Sequence, residues 1–305
     1  MALYLPAYHA PTHPERTLVR VCTYNCMNLF AWTAEPQEPV NPAKPQREVN
    51  ALAKTIDWVN PDLLCLQEVG SLTALEDINS LLKRPFPEVR LAETNSNRGI
   101  HLGFMSRYPL RLHSHRDLPL LDETQQPLSD LASPTATEFS ELKLQRDIAV
   151  AELALSHQPP VFAANLHLKS AGKRAWQTLS PLTVRTAECQ VLAQVIRNYQ
   201  TQAPDSPLLV MGDFNDNPTS SAFAALDKLP AGTLFDPLMR ELVPANPRLS
   251  TYWPRRRTRI DRILLNAVAK QSYQLGSIRL WGNKRAEVAS DHFPLSIDLR
   301  FDTGY

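Results

Sequence analysis

The chain has 305 residues, 43% of them hydrophobic, with 32 Lys and Arg residues against 31 Asp and Glu residues. This hydrophobic content excludes a disordered tail protein. The formal net charge of +1 is too small for the protein as a whole to attract a polyanion, so any basic binding site must be local. Four cysteines without CxxC spacing argue against a disulfide framework and a structural zinc site, and are most simply buried thiols in a reducing compartment.

Short apolar runs with β-branched or alternating residues recur along the chain and predict nine strands. They lie at residues 18–24, 62–69, 101–106, 147–155, 161–168, 207–212, 259–266, 273–281 and 293–301. Segments with helical spacing lie between several of them, at 46–60, 72–83, 183–199 and 218–226. The mixture predicts an α/β protein in which helices cover sheets. Residues 31–45 and 119–141 lack both patterns and are predicted to be surface loops.

This organisation predicts one layered domain over residues 18–305, preceded by an N-terminal extension at 1–17. The extension lacks the basic and apolar segments of a secretory signal, and no apolar run approaches the length of about 18 residues that spans a bilayer. We therefore expect a cytoplasmic protein without membrane contact. The oligomeric state is open, with a monomer as the working expectation.

Polar side chains gather where the predicted strands end. They are Asn25, Glu68, His167, Asp213, Asn215, Asp261, Asp291 and His292. Each alone has an ordinary explanation, because Gly, Asp and Asn form turns, an acid can begin a helix, and a histidine can be satisfied in a core. Together they are harder to explain, since an unpaired buried polar group costs about 1–3 kcal/mol. We therefore expect one shared polar cleft, whose oxygen ligands suit Mg²⁺ or Mn²⁺ and whose histidines suit acid–base work.

The ordered motifs are "TYN" (23–25), "LQEV" (66–69), "GFMSRYP" (103–109), "NLHLKS" (165–170), "GDFND" (212–216), "RIDRILL" (259–265) and "SDHFPL" (290–295). This set resembles the endonuclease/exonuclease/phosphatase superfamily, the group of pancreatic deoxyribonuclease, exonuclease III, neutral sphingomyelinases and inositol polyphosphate 5-phosphatases. The resemblance is greatest to bacterial nuclease-type members. It implies a four-layer α/β sandwich, with two mixed central β-sheets flanked by helices, and metal-dependent hydrolysis of phosphate esters.

The resemblance also implies the metal ligands. Glu68 would be the principal ligand of Mg²⁺ or Mn²⁺, with Asn25 and Asp291 beside it. In exonuclease III-like members an acid follows the asparagine by two residues, whereas this chain has Met27. This difference weakens a second metal site, for which Asn28 is a partial substitute.

The same resemblance implies the catalytic roles. Asp213 and Asn215 would orient the attacking water and the phosphate. His292, held by Asp261, would be the general base or a phosphate-binding group, and His167 would contact the phosphate or support the leaving oxygen. We expect Asp261 to raise the pKa of His292, and a neutral His292 beside a charged His167 would need neighbours that separate their pKa values.

The substrate is predicted from a basic stretch, "YWPRRRTRIDR" at 252–262, in which arginines follow two aromatic residues. Such a cluster suits a nucleic-acid backbone with stacked bases, although a solvated loop would look the same. A second patch follows His167 and includes Lys173 and Arg174. The candidate substrate-binding residues are Lys169, Arg255, Arg257 and Arg259. The alternatives are a phosphatase acting on inositol phosphates or phosphoinositides, and a non-catalytic phosphate-binding domain.

Overall fold

A computed structural model describes residues 16–31, 41–128, 142–156, 158–172, 179–230 and 232–302. Nearly all of the predicted extension at 1–17 and parts of the predicted loops at 31–45 and 119–141 lie outside these residues, as do Lys173 and Arg174. The first strand begins at Arg16, two residues before the predicted domain boundary.

The first sheet contains β1 (Arg16–Leu29), β2 (Leu63–Val69), β3 (Glu88–Ala92), β4 (His101–Ser106), β10 (Arg279–Leu280) and β11 (Leu295–Asp302). Their order is β10–β11–β1–β2–β4–β3. β1 and β2 are parallel, and the other pairs are antiparallel.

The second sheet contains β5 (Leu110–His113), β6 (Ile148–Leu153), β7 (Val161–His167), β8 (Leu208–Asp213) and β9 (Asp261–Leu265). These strands pair in chain order. Only β7 and β8 are parallel among the pairs of this sheet. Both sheets are therefore mixed.

Helices pack on the outer faces of both sheets and, in some cases, against the apolar layer between the sheets. They are α1 (Gln46–Val59), α2 (Leu72–Ser80), α3 (Pro181–Gln202), α4 (Ala224–Asp227), α5 (Val243–Ala245), α6 (Ala267–Ser272) and α7 (Lys284–Ala289), with a 3₁₀ turn at Ser221–Phe223 and a π-helical turn at Leu238–Leu242. None of the helices in the described part of the chain is long and apolar enough to cross a membrane.

Three apolar clusters hold the layers together. Successive strand side chains point to opposite faces, so Val21 packs between the two sheets while Cys22 packs under α1 and α2. On the other side of the molecule, Val210 of β8 packs against Leu192 of α3. Because each sheet is covered on both faces, its central strands are continuously apolar. The result confirms the predicted four-layer α/β sandwich.

A buried amide pair ties the two sheets together near one edge. The Gln67 side chain donates to Asn165 Oδ1 at 2.6 Å, and Asn165 Nδ2 donates to the carbonyls of Leu66 (3.0 Å) and Gly103 (3.2 Å). Both side chains are fully buried. These bonds fix the end of β2 against the end of β7.

Three sequence predictions of local structure are wrong. The strand predicted at 273–281 is a strand only at Arg279–Leu280, because a turn at Leu275 and Gly276, where Gly276 has φ 76°, interrupts the run. The helix predicted at 218–226 begins instead with the 3₁₀ turn, which Ser220 caps. The short elements β3, β5, α5, α6 and α7 and the π-helical turn were not predicted.

Candidate active site

The two sheets present one cleft at a shared edge. β7 and β8 both end there, and their parallel register places His167 beside Asp213. β9 runs antiparallel to β8, so its first residue, Asp261, also pairs with Asp213. The cleft has a volume of about 430 Å³. The predicted residues that line it are Asn25, Glu68, His167, Asp213, Asn215, Arg255, Asp291 and His292.

The centre of the cleft is an acid–histidine pair. His292 Nδ1 lies 2.8 and 3.0 Å from the two carboxylate oxygens of Asp261, and its Nε2 faces Asp213 Oδ2 at 3.8 Å. Asp261 is buried behind the histidine, and its backbone N–H donates to Thr251 Oγ1. The Tyr252 ring packs edge-on against the imidazole, with 5.1 Å between the centroids. The imidazole is therefore fixed with Nε2 towards the cleft.

The two cleft histidines carry different charges. Burial disfavours charge on His292, but the carboxylates of Asp261 and Asp213 outweigh it and raise the pKa of His292 to about 10. Burial, followed by the positive charges of Arg146 and His292, holds the pKa of His167 well below its usual value. The sequence analysis predicted that Asp261 raises the pKa of His292, which the structure supports, and the pKa of His167 is shifted in the opposite direction.

Asp213 is the buried carboxylate that the strand ends surround. It accepts from Asn25 Nδ2 at 3.0 Å and from the Asn215 backbone N–H at 2.8 Å. His167 Nε2 lies 3.6 Å from its Oδ2. Burial raises the pKa of Asp213, while the nearby His292 lowers it. Asp213 is therefore more basic than an ordinary carboxylate.

Glu68 and Asp291 form the acidic end of the cleft. Glu68 Oε2 accepts from the Asn28 backbone N–H at 3.1 Å, and Oε1 lies 3.9 Å from His167 Nε2. The pKa of Asp291 is raised by burial, and the Glu68 carboxylate raises it further against the opposing effect of His292. Two carboxylates that repel each other in a partly buried cleft are an oxygen donor set that suits a divalent cation.

A second set of donors, in Asp213, Asp261 and His292, places one ligand atom of each within 4.8 Å of the others. His292 Nδ1 is already hydrogen-bonded to Asp261, which leaves only Nε2 for a metal ion. Because the pKa of His292 is high, Nε2 carries a proton and cannot bind the ion. Glu68 and Asp291, assisted by Asn25, therefore fit Mg²⁺ or Mn²⁺ better than this hydrogen-bonded group does.

Backbone strain is concentrated at the cleft. Seven non-glycine residues in the described ranges have positive φ, and four of them border the cleft. These four are Met27 (49°), Asn28 (54°), Glu68 (62°) and Asn215 (55°). Three of the four belong to the register shifts that β1 and β2 show after Asn25 and Leu66. The irregular backbone turns the strand ends inwards.

The predicted basic residues lie in different places. Arg255 lines the cleft, whereas the exposed Arg257 and the half-buried Arg259, which donates to the Pro247 carbonyl, lie outside its wall. The Lys169 side chain is buried and donates to the carbonyls of Ser170 (3.1 Å) and Gly172 (2.6 Å). Its ammonium therefore supports the loop after β7 rather than facing the cleft.

Sequence reasoning missed two arginines that line the cleft. Arg146 is 8% exposed and donates to the Leu168 carbonyl at 2.8 Å, and its buried Nε has no hydrogen-bond partner among the residues that the structure describes. Arg98 lies beside Glu68, with 3.6 Å between Nη2 and Oε2. Neither stands in a repeating pattern, so only the folded chain shows that both lie beside the carboxylates.

The sequence profile of the Endonuclease/Exonuclease/phosphatase family matches residues 22–292. The chain therefore belongs to this family, whose members are generally hydrolases and typically depend on divalent metals. A comparison with curated protein sequences finds no match.

Solved structures resemble the chain at low sequence identity. Truncated Caenorhabditis elegans TDP2 is 16% identical, with a TM-score of 0.58, over 92% of this chain and 97% of that one. The human Nocturnin catalytic domain, solved with a bound sulfate anion, is 19% identical, with a TM-score of 0.59, over 94% and 97%. The Bacteroides thetaiotaomicron mannosyl-6-phosphatase Bt3783 is 15% identical, with a TM-score of 0.55, over 92% and 98%. At these identities the likeness shows the fold alone.

Proposed function

We propose that the protein is a divalent-metal-dependent phosphodiesterase that cleaves DNA or RNA by in-line attack of water. The observation that carries the proposal is the convergence of three kinds of group in one cleft. These are the acid–histidine pair Asp261 and His292, the facing carboxylates Glu68 and Asp291, and the cleft-lining arginines. Phosphodiester hydrolysis requires groups that neutralise the phosphate charge, groups that transfer protons, and ligands for a metal ion.

The metal would be held at the acidic end of the cleft. Glu68, Asp291 and Asn25 would hold Mg²⁺ or Mn²⁺, which when bound supplies a Lewis acid for the phosphate oxygens. Asn25 at the same time donates to Asp213 at 3.0 Å and therefore fixes the metal end against the centre of the cleft.

Asp213 is the group best suited to accept the proton of the attacking water. Its carboxylate is oriented by Asn25 and by the Asn215 backbone, and burial makes it more basic than an exposed acid. His292 carries a proton on each nitrogen when charged, so Nε2 can donate to a phosphate or leaving oxygen while Asp261 holds Nδ1. We therefore assign the base to Asp213 and the cationic donor to His292.

The surface beside the cleft favours nucleic acid as the substrate. Trp253 is 42% exposed, yet its indole N–H donates to the Ser290 carbonyl at 2.7 Å, which fixes the ring next to Asp291. Arg255, two residues later, lines the cleft, and Arg256 is exposed beside it. A fixed aromatic face next to cations suits a base stacked beside its phosphate.

Phosphomonoester hydrolysis, as of inositol phosphates or phosphoinositides, is the second candidate. The observation that favours it is the pair of cleft-lining arginines, Arg98 and Arg146, because a terminal phosphate carries more charge than a diester.

Purified protein should be assayed on single- and double-stranded DNA, RNA, bis-p-nitrophenyl phosphate, inositol phosphates and phosphoinositide vesicles. We expect chelated protein to be inactive, added Mg²⁺ or Mn²⁺ to restore cleavage of nucleic acid, and His292→Ala protein prepared in parallel to exclude contaminating nucleases. Release of phosphate from inositol phosphates with intact nucleic acids would favour the phosphatase. Binding of polyphosphates without turnover of any substrate would leave only a non-catalytic domain.

A further inference from the structure

Arg98 holds one side of the Glu68 carboxylate. It lies in the loop before β4, where its carbonyl accepts from Asn41 Nδ2 at 2.7 Å and its N–H donates to Ser96 Oγ at 3.3 Å. Its Nη2 lies 2.5 Å from Asn28 Oδ1 and 3.6 Å from Glu68 Oε2. The guanidinium is therefore a fixed charge at the acidic end of the cleft.

The two oxygens of Glu68 consequently differ as metal ligands. Oε2 faces Arg98 and accepts from the Asn28 backbone N–H. Oε1 has His167 Nε2 at 3.9 Å and accepts no hydrogen bond within the described ranges. A cation can therefore bind through Oε1 with far less competition than through Oε2.

Within the described residues, protein cations already contact two of the oxygens that follow Asn25. The Met27 carbonyl accepts from the Lys44 ammonium at 2.8 Å, and Lys44 is 2% exposed. The Asn28 side-chain oxygen accepts from Arg98. Two protein cations therefore occupy the oxygen atoms with which residues 27 and 28 would hold a second metal ion.

The charge of the cleft agrees with a single metal ion. The carboxylates that line the cleft are those of Glu68, Asp213, Asp216 and Asp291, and the arginines that line it are Arg98, Arg146 and Arg255. One divalent ion is enough to make this set attract a phosphate. A second ion at Glu68 Oε2 would lie against the guanidinium and be repelled.

We propose that Arg98 takes the place of a second metal ion, positions Glu68, and limits the site to one divalent cation. The inference depends on the metal dependence in the proposed function. It predicts a property that can be measured without substrate, namely the number of ions bound per chain.

The experiment is a Mn²⁺ titration of the metal-free protein, with free Mn²⁺ followed by electron paramagnetic resonance. Wild type should bind one ion. Arg98→Met combined with Met27→Asp should bind two, whereas Arg98→Lys should still bind one. Arg98→Met alone should tighten the first ion by on the order of tenfold, the effect of removing one neighbouring like charge. Arg47→Met, which removes an exposed arginine of α1, is the matched control and should behave as wild type.

Two bound ions in wild type would overturn the role of Arg98 while leaving the proposed function intact. One ion in every variant, with unchanged affinity, would also overturn it. Absence of any bound Mn²⁺ would reject the metal dependence and this inference together. Circular dichroism of each variant and the Arg98→Lys result separate these outcomes from misfolding.

Discussion

Asp261→Asn tests whether the acid–histidine pair acts as one unit. Both carboxylate oxygens of Asp261 lie within 3.0 Å of His292 Nδ1, in a buried position that solvent does not screen. An asparagine keeps the size of the side chain and one acceptor oxygen, and it removes the negative charge. The substitution therefore isolates the electrostatic support of the imidazolium.

The size of the effect follows from the pKa of His292. A pKa of about 10, against an ordinary 6.5, corresponds to about 5 kcal/mol in favour of the charged ring at ~1.4 kcal/mol per pKa unit. Asp261 is the largest of three carboxylates that produce this preference, with Asp213 and Asp291. Its loss lowers the pKa of His292, so at alkaline pH, above both pKa values, the rate should fall about tenfold for each pKa unit lost. In a catalytic triad the same substitution costs ~10⁴-fold, which sets the upper end of our expectation.

The assay is kcat/KM on bis-p-nitrophenyl phosphate for wild type, Asp261→Asn, His292→Ala and the double variant. We expect the double variant to be no slower than His292→Ala, because Asp261 acts only through the histidine. Since the active form is the charged His292, activity should fall as pH rises through the pKa of His292, and this fall should move to lower pH in Asp261→Asn. Losses that multiply in the double variant, or an unmoved alkaline limb, would refute the pairing.

Three further predictions concern stability and metal binding. Burial raises the pKa of Glu188 to about 7 from 4.5, so its contribution to the unfolding free energy should fall by up to ~3 kcal/mol as pH rises between these values. In urea titrations Glu188→Gln should reduce the loss of stability with pH by this amount, whereas the exposed Glu76→Gln should leave that loss unchanged. Glu68→Gln should raise the Mg²⁺ concentration for half-maximal activity roughly tenfold or more, because one ligand charge is lost. Asn165→Ala should cost ~1–3 kcal/mol by urea unfolding, since Gln67 loses a buried partner, and a value near zero would show that the amide pair does not tie the sheets.

The central strands were predictable from sequence because their inner and outer faces are both buried. Leu208–Asp213 is buried at every position, and a short apolar run that ends at turn-forming residues is typical of a central strand. β3 and β5 were not predicted from the sequence because each lies at a sheet edge and is partly exposed, so charged residues interrupt the apolar pattern. Edge strands are often short because their unpaired backbone groups would otherwise pair with other chains, and a short strand gives only a weak pattern in the sequence.

The site was predictable only where its residues end strands. Arg98 and Arg146 lie in loops, where an arginine is usually solvated, and only the fold places them against carboxylates. Lys169 shows the converse difficulty. It follows His167 by two residues and looked like a substrate contact, but Glu188 on α3 accepts its backbone N–H at 2.7 Å and the chain leaves the strand direction there. Side-chain direction in a loop depends on partners that are distant in the sequence.

The polar residues of the cleft could be explained from sequence either as turn formers or as functional groups. In the structure the same side chains serve both purposes. At three turns or irregular backbone segments beside the cleft, a side-chain oxygen accepts the backbone N–H two residues later. The three bonds are Asn25 Oδ1 with Met27 N (3.0 Å), Asp213 Oδ1 with Asn215 N (2.8 Å) and Ser290 Oγ with His292 N (3.1 Å). In two of them the residue that donates has positive φ, so the bond offsets backbone strain of ~1–3 kcal/mol. Each turn fixes the direction of a cleft side chain before any substrate arrives, which is the preorganisation that charge stabilisation requires.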